Sequence, residues 1–334
     1  MPRWTVALAL LVAATALAPS LATATTATDL CPLVADPCVV SADIAVDPNS
    51  VIDLGGRALD VKNRASLTIA SGTMTILARS MHVEIGGALL GKSTTNGGVI
   101  VVNVVQDITI DGNTTTQGRI DVSAGVAAGE MDLTAGTTMT VSGLLTANAT
   151  TPNGDGGTVN VNAGTDVSIT GPIAVAGGAG GTGGSVTMVA GGALNITQPI
   201  DASGGDSGGG SIDLTAGGDL VTAGKLDVSG GGNSGDGGFL SWQAGGAVRI
   251  LGPVNGKASG TIDTGGGDAV LAVPNSAVID SGERQIVLVD KGGGRFEPRT
   301  VQLGRHGAGY VEIRDGLKVS ENVVFPWVKE LSQL

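Results

Sequence analysis

The chain has 334 residues, of which 57 are glycine and seven aromatic, and its formal net charge is −12. So few aromatic side chains exclude a conventional aromatic-filled globular core, and the acidic balance argues against a nucleic-acid partner. High glycine can signal disorder, but the periodic apolar columns set out below argue against that.

At the N-terminus Arg3 precedes an apolar run from Val6 to Ala14 and on to Ala18, and Ala22-Thr23-Ala24 follows as a small-x-small site. This pattern predicts a signal peptide over 1–24, cleaved after Ala24, and export to the periplasm or cell surface of a Gram-negative-type cell. The run is shorter than the roughly 20 residues a membrane span needs, and no later segment is apolar enough. No transmembrane segment is expected in the mature chain.

Cys31 and Cys38 are the only cysteines. In an exported chain two nearby cysteines are expected to pair. The zinc alternative lacks further ligands, because two thiolates without a nearby histidine do not complete a site. Residues 25–71 are expected to form an N-terminal cap with this disulfide and a first irregular coil, since a solenoid needs its open end covered.

From residue 72 the chain repeats. Anchor glycines fall at Gly72, Gly98, Gly129, Gly157, Gly184, Gly210, Gly238 and Gly260, at intervals of 26, 31, 28, 27, 26, 28 and 22 residues. Such a period signals stacked supersecondary units. Two residues after the anchors from Gly98 stand Ile100, Met131, Val159, Val186, Ile212, Leu240 and Ile262. Four after stand Val102, Leu133, Val161, Met188, Leu214, Trp242 and Thr264. Columns ten and twelve after are apolar too, and the intervening positions are mostly polar. Period-two alternation makes each run a strand with one buried face. Like residues recurring coil after coil make the fold a parallel β-helix: an all-β, single-stranded solenoid over 72–272 with about eight three-stranded coils. Its expected hand is right, the usual hand of parallel crossovers. At about 4.8 Å per coil the rod is roughly 40 Å long. A small residue six after the anchor, followed by Gly in five coils, marks a tight corner. Val159→Asp should therefore unfold the rod, and Asn160→Asp should be tolerated.

The rod offers no evident chemistry. Its outward column of Asp132, Asn160, Thr187, Asp213, Ser241 and Asp263 is the best place for a polysaccharide-active carboxylate cluster. Uncharged coils separate these acids, and Arg249 and Lys225 are isolated, so a solvated polar face is the plainer reading. Asp155, Asp206 and Asp236 sit in Gly-rich loops, each with one carboxylate where calcium wants six or more oxygens; turn chemistry explains Asp-Gly without an ion. His82 and His306 are the only histidines and lack partners in spacing, so Met81-His82 reads as a solenoid position rather than a soft-metal site. No catalytic, cofactor or metal residue is assigned, and the chain is expected not to be an enzyme.

The regular coils resemble the β-helical repeats of exported haemagglutinin-like and adhesin-like proteins. That resemblance implies architecture, with a glycan or surface ligand along the rod as the partner.

The composition changes near residue 270. Residues 1–274 carry 10 Lys/Arg against 22 Asp/Glu, whereas 275–334 carry eight of each. Short apolar runs with Gly turns predict four or five strands forming a small antiparallel β-barrel-like unit. Val273-Pro274, Ser276-Ala277-Val278-Ile279-Asp280, Gly294-Arg295-Phe296-Glu297-Pro298-Arg299, Leu303-Gly304, Gly316-Leu317 and Glu321 through Val324 come in dense order. This segment, 273–324, closely resembles the C-terminal, membrane-proximal domain of CusB-type periplasmic adaptor (membrane fusion) proteins, which serve resistance-nodulation-division (RND) heavy-metal efflux pumps. The resemblance implies that Arg295–Gly304 and Gly316–Val324 face an inner-membrane pump, with Arg295, Phe296, Pro298, Arg299, Gly304, Gly316, Leu317 and Glu321 as contacts. The family's lipoyl-like halves, helical hairpin and Met-rich metal-binding segment have no counterpart in these residues, and 325–334 form a divergent tail. The leading expectation is a non-enzymatic exported scaffold or binding rod carrying an adaptor-like unit. The alternatives are an atypical adaptor of an RND efflux system and a polysaccharide-active enzyme.

Overall fold

A computed structural model describes residues 24–231, 235–256, 271–280, 284–291, 295–306, 310–318, 321, 323 and 324. Residues 1–23 of the expected signal peptide, most of the coil expected after the anchor Gly260 and the tail 325–334 lie outside the described residues.

The rod has three β faces. The first holds nine strands from Cys38–Val40 to Val248–Ile250, the second nine from Ile44–Val46 to Val254–Asn255, and the third eight from Ser50–Asp53 to Phe239–Ala244. Every pairing within them is parallel and joins equivalent positions of successive coils, as in Val159↔Val186 and Val186↔Ile212. The described residues thus make eight complete coils and two strands of a ninth. The regular stack begins at Cys38, well before residue 72. Residues expected to form a cap and an irregular coil already pair as Ile44↔Leu67 and Ile52↔Ile76. The glycine anchors mark only the corner before the third face, so a search keyed to them misses coils that turn without one.

Alternation along each strand follows from the pleat, which sends successive side chains to opposite faces. Ser185–Ala190 buries Val186, Met188 and Ala190 and leaves the residues between them outside. Stacking then joins the inward residues into one core running from Ala27 to Ile250. Ser50 and Thr222 are polar residues at inward positions: Ser50 Oγ accepts from the Thr25 N–H at 2.9 Å, and the Thr222 hydroxyl sits 3.5 Å from the Gly224 carbonyl.

Gly72 is left-handed at φ +74°, but for the described anchors from Gly129 onward the need for glycine is a matter of approach rather than of backbone angle. A Cβ on Gly157, Gly184 or Gly210 would lie 2.1, 2.1 and 1.9 Å from the anchor carbonyl oxygen of the coil before. At the next corner a Cβ on Gly164, Gly191 or Gly217 would meet the preceding corner carbonyl at 2.2, 2.2 and 2.1 Å. None of these glycines is left-handed. The backbones touch, so no side chain fits. The loops before the anchors are stacked too: Gly177 N–H donates to the Ser203 carbonyl and Gly204 N–H to that of Ser229, both at 2.8 Å.

The N-terminal cap is compact. The single-turn helix Ala27–Leu30 lays Ala27 and Leu30 on the end of the core. The Cys31–Cys38 disulfide ties it to the first strand. Arg57 donates to the Pro32 carbonyl at 2.9 Å, and Arg79 grips Asp36 with two bonds of 2.8 and 3.0 Å. The Arg79 guanidinium, with the Ala58 N–H, holds the Asp36 carboxyl below its usual range.

The C-terminal unit folds as two small antiparallel sheets. In one, Tyr310–Asp315 lies between Ala272–Pro274 and Gln302–His306. In the other, Gln285–Asp290 pairs with Ile279–Asp280, Phe296–Thr300 and Val323–Val324. The unit has seven strands among the described residues rather than the four or five expected. Val273, Ala277, Val287, Val289, Val301, Val311 and Ile313 form its own core. Leu271 packs against both this core and that of the rod.

Stacking also revises an expectation. Asn160 Nδ2 donates to Asp132 Oδ1 at 2.6 Å and Glu130 Oε1 at 3.3 Å. Burial, and then the Asp132 charge, already raise the Glu130 carboxyl above its ordinary range. A carboxylate at 160 therefore meets two others. Val159 is fully buried. Val159→Asp should cost about 4 kcal/mol or more, Asn160→Asp on the order of 1 kcal/mol, and the exposed Asn162→Asp less than about 0.5 kcal/mol. Chemical denaturation of the three variants checks this ranking; equal midpoints would refute the inward and outward assignment.

Candidate functional site

The outward column stacks in register and is hydrogen-bonded at two of its steps. Asp132, Asn160, Thr187, Asp213 and Ser241 pair across consecutive coils. Asn160 donates to Asp132 and Ser241 to Asp213. Three coil steps put Asp132 and Asp213 about 14 Å apart, beyond the roughly 5–9.5 Å that a glycosidic carboxylate pair spans. Asp263 lies outside the described residues. Arg249 pairs with Val221 in register, and Lys225 makes an ion pair with Asp227. Among the loop acids, Asp155 accepts bonds from both the N–H and the hydroxyl of Thr182, each at 2.8 Å, so it serves the turn; Asp236 is exposed.

Along the anchor corner runs an open groove of about 590 Å³. Paired glycines floor it, Thr158, Ser185 and Ser211 line one side, and Phe239 stands at one end. A polar, flat ligand could lie in it.

His82 has partners that linear spacing did not show. Strand stacking sets Asp60↔His82↔Thr109 in one column. The next column holds Lys62, Glu84 and Asp111, each following the paired Val61, Val83 and Ile110. His82 Nε2 lies 2.8 Å from Asp111 Oδ2 and Nδ1 lies 3.5 Å from Asp60 Oδ1. Lys62 Nζ bridges Asp60 Oδ2 at 2.6 Å and Glu84 Oε1 at 2.7 Å. Those bonds, first to Asp60, hold the Lys62 ammonium above its ordinary range, and the Lys62 bond holds the Glu84 carboxyl below its own. Met81 points the other way and is buried in the core, so it is no partner for His82. Aligning the first three coils with the later ones would have revealed both columns. The side chain of His306 lies outside the described residues.

In the C-terminal unit the residues named by resemblance separate into two groups. Arg299 donates to Glu297 at 2.7 Å, to Glu321 at 3.2 Å and to the Gly316 carbonyl at 3.5 Å. The Lys318 N–H closes on Glu321 at 2.9 Å. Gly316 is left-handed at φ +96°, and a Cβ there would lie 2.2 Å from the Thr300 carbonyl. At Gly304 a Cβ would run into the Glu312 carboxylate at 2.2 Å. Leu317 packs on the core. Arg299, Gly316, Leu317 and Glu321 thus hold the unit together, whereas Gly304 meets only the flexible side-chain ends of Glu312 and Arg314. Arg295, Phe296 and Pro298 instead face outward, with Phe296 52% exposed on the outer strand of its sheet.

Residues 271–325 match the family described as the CzcB C-terminal circularly permuted SH3-like domain. The match covers the C-terminal unit and none of the rod. No curated protein and no solved structure matches the chain. Among the described residues no helix is long and apolar enough to cross a membrane.

The clamp carries a pH signature. Bonds from Arg299 and Lys291 hold the Glu297 carboxyl below its ordinary range. For Glu321, burial pushes upward, but the Lys318 N–H and Arg299 outweigh it and the net shift is down. A carboxyl depressed by folding stabilises the fold above its unfolded pKa, and that contribution disappears as pH falls through the folded value. The C-terminal unit should therefore loosen on acidification below the usual carboxylate range. Arg299→Ala should loosen it at neutral pH and flatten that dependence. Hydrogen exchange in 285–324, with the coils as internal reference, measures both; equal exchange in the two proteins would refute the clamp.

Proposed function

We propose that this chain is an extracytoplasmic, non-catalytic β-solenoid binding rod that carries an adaptor-derived docking unit at its C-terminal end. The observation behind this reading is the SH3-like match at 271–325, in which an internal clamp leaves Arg295, Phe296 and Pro298 outward on an outer strand. The disulfide supports an oxidising compartment, in keeping with the signal-like N-terminal segment and with the extracytoplasmic adaptors that the C-terminal unit resembles. A rod of stacked coils is stiff, and it offers a repetitive groove to a glycan or another surface ligand while holding the unit at one end.

A second reading makes the chain an atypical adaptor of an RND heavy-metal efflux system, with the unit seated on the inner-membrane pump. Phe296 favours it, because exposed aromatics and arginines are the residue types enriched at protein interfaces.

Binding of the full mature chain to the periplasmic domain of an RND pump from the same cell separates the two. Under the second reading, micromolar binding is expected, weakened about tenfold by Phe296→Ala, with the melting temperature unchanged. No binding would remove the pump and leave the rod. Turnover of any polysaccharide by the wild-type chain would overturn the non-catalytic assignment.

A further inference from the structure

The geometry points to a divalent-cation site on the rod, built by Asp60, His82 and Glu84 and suited to a first-row transition metal such as zinc. One ligand atom from each of the three lies within 4.8 Å of the others. They come from two successive coils and meet through strand stacking. The site stands apart from the docking unit and does not depend on what that unit binds.

Three features favour a cation over a plain ion-pair cluster. First, Asp60 Oδ1 is a buried side-chain oxygen without a hydrogen bond, its nearest polar neighbour being His82 Nδ1 at 3.5 Å in poor bonding geometry. A buried acceptor left unsatisfied is costly, and a cation would satisfy it. Second, Asp111 lies 2.8 Å from His82 Nε2. With a cation on Nδ1, a carboxylate there accepts the Nε2 proton, the outer-shell arrangement that orients metal-bound imidazoles. Third, Nδ1 and Asp60 Oδ1 are 3.5 Å apart. Two ligand atoms each about 2.0–2.1 Å from a tetrahedral zinc stand roughly 3.4 Å apart. Glu84 is partly exposed and can close the remaining gap by rotation, and water completes the coordination. One imidazole with two carboxylates suits zinc and its neighbours better than calcium or magnesium, which take oxygen ligands alone.

Lys62 is the built-in competitor. Its ammonium spans Asp60 and Glu84, so metal binding must displace or outbid it. This distinguishes the proposal from a structural ion-pair network, in which Lys62 is simply the partner.

The test is titration of zinc chloride into the chelator-stripped full chain, read by calorimetry and by nitrogen NMR of labelled histidine. The chain has only two histidines, His82 and His306, so the spectrum reports the site directly. One zinc per chain is expected, shifting Nδ1 of His82 while Nε2 keeps its proton. His82→Gln and Asp60→Asn should abolish binding. Asp111→Asn should keep the stoichiometry and weaken affinity about 10- to 100-fold. Lys62→Met should tighten affinity at least about threefold, the equivalent of a surface ion pair. Melting curves without metal confirm that each variant is folded. Failure of both the wild type and Lys62→Met to bind zinc would overturn the proposal. So would binding unaffected by His82→Gln, or a shift confined to His306.

Discussion

Parallel strands stacked in register, one coil about 4.8 Å above the next, are the constraint on which the rest of this molecule depends. The spacing leaves room for Val on Ile or Leu on Met inside the rod, but none for a Cβ where corner backbones touch. Gly157, Gly184 and Gly210 stand at one such corner and Gly164, Gly191 and Gly217 at another. A high glycine content and an ordered core therefore go together here. The same stacking explains how a chain with so few aromatics folds, because each narrow cross-section is apolar and the core grows by repetition rather than by width.

Stacking also decides which residues become neighbours. Side chains a full coil apart in sequence meet on the outer surface, as Asp132 and Asn160 do, or Asp60, His82 and Asp111. Outward columns carry hydrogen bonds at single steps between coils, as in Asn160 to Asp132 and Ser241 to Asp213. The Asp60–His82 column differs because it leaves a buried oxygen unmatched beside an imidazole oriented by a carboxylate. Chemistry on such a rod is read down columns rather than along the chain.

The C-terminal unit follows other rules. Its strands are antiparallel and its core is separate. Residues drawn from one resemblance take two different tasks: Arg299 and Glu321 hold the outer strand to the Gly316 turn, while Arg295 and Phe296 present a surface. Family likeness marks positions that matter without telling fold from contact. The hydrogen bonds of Arg299 make that distinction.

By itself the sequence determined the architecture. Period-two alternation within each run and recurrence every 22 to 31 residues leave few solutions other than a parallel solenoid, because an apolar column must be buried on its own copies. The two lone cysteines and the break in charge near residue 270 were equally legible, since they are local in sequence. Only the tertiary structure decided where the stack begins, because the first coil turns at Asn49 without the anchor glycine and its pairing shows in register alone. It alone decided the partners of His82, whose nearest carboxylates lie in the coils on either side. It alone separated clamp from surface in the C-terminal unit, because Arg299 and Glu321 are distant in the chain and join only when the outer strand meets the Gly316 turn.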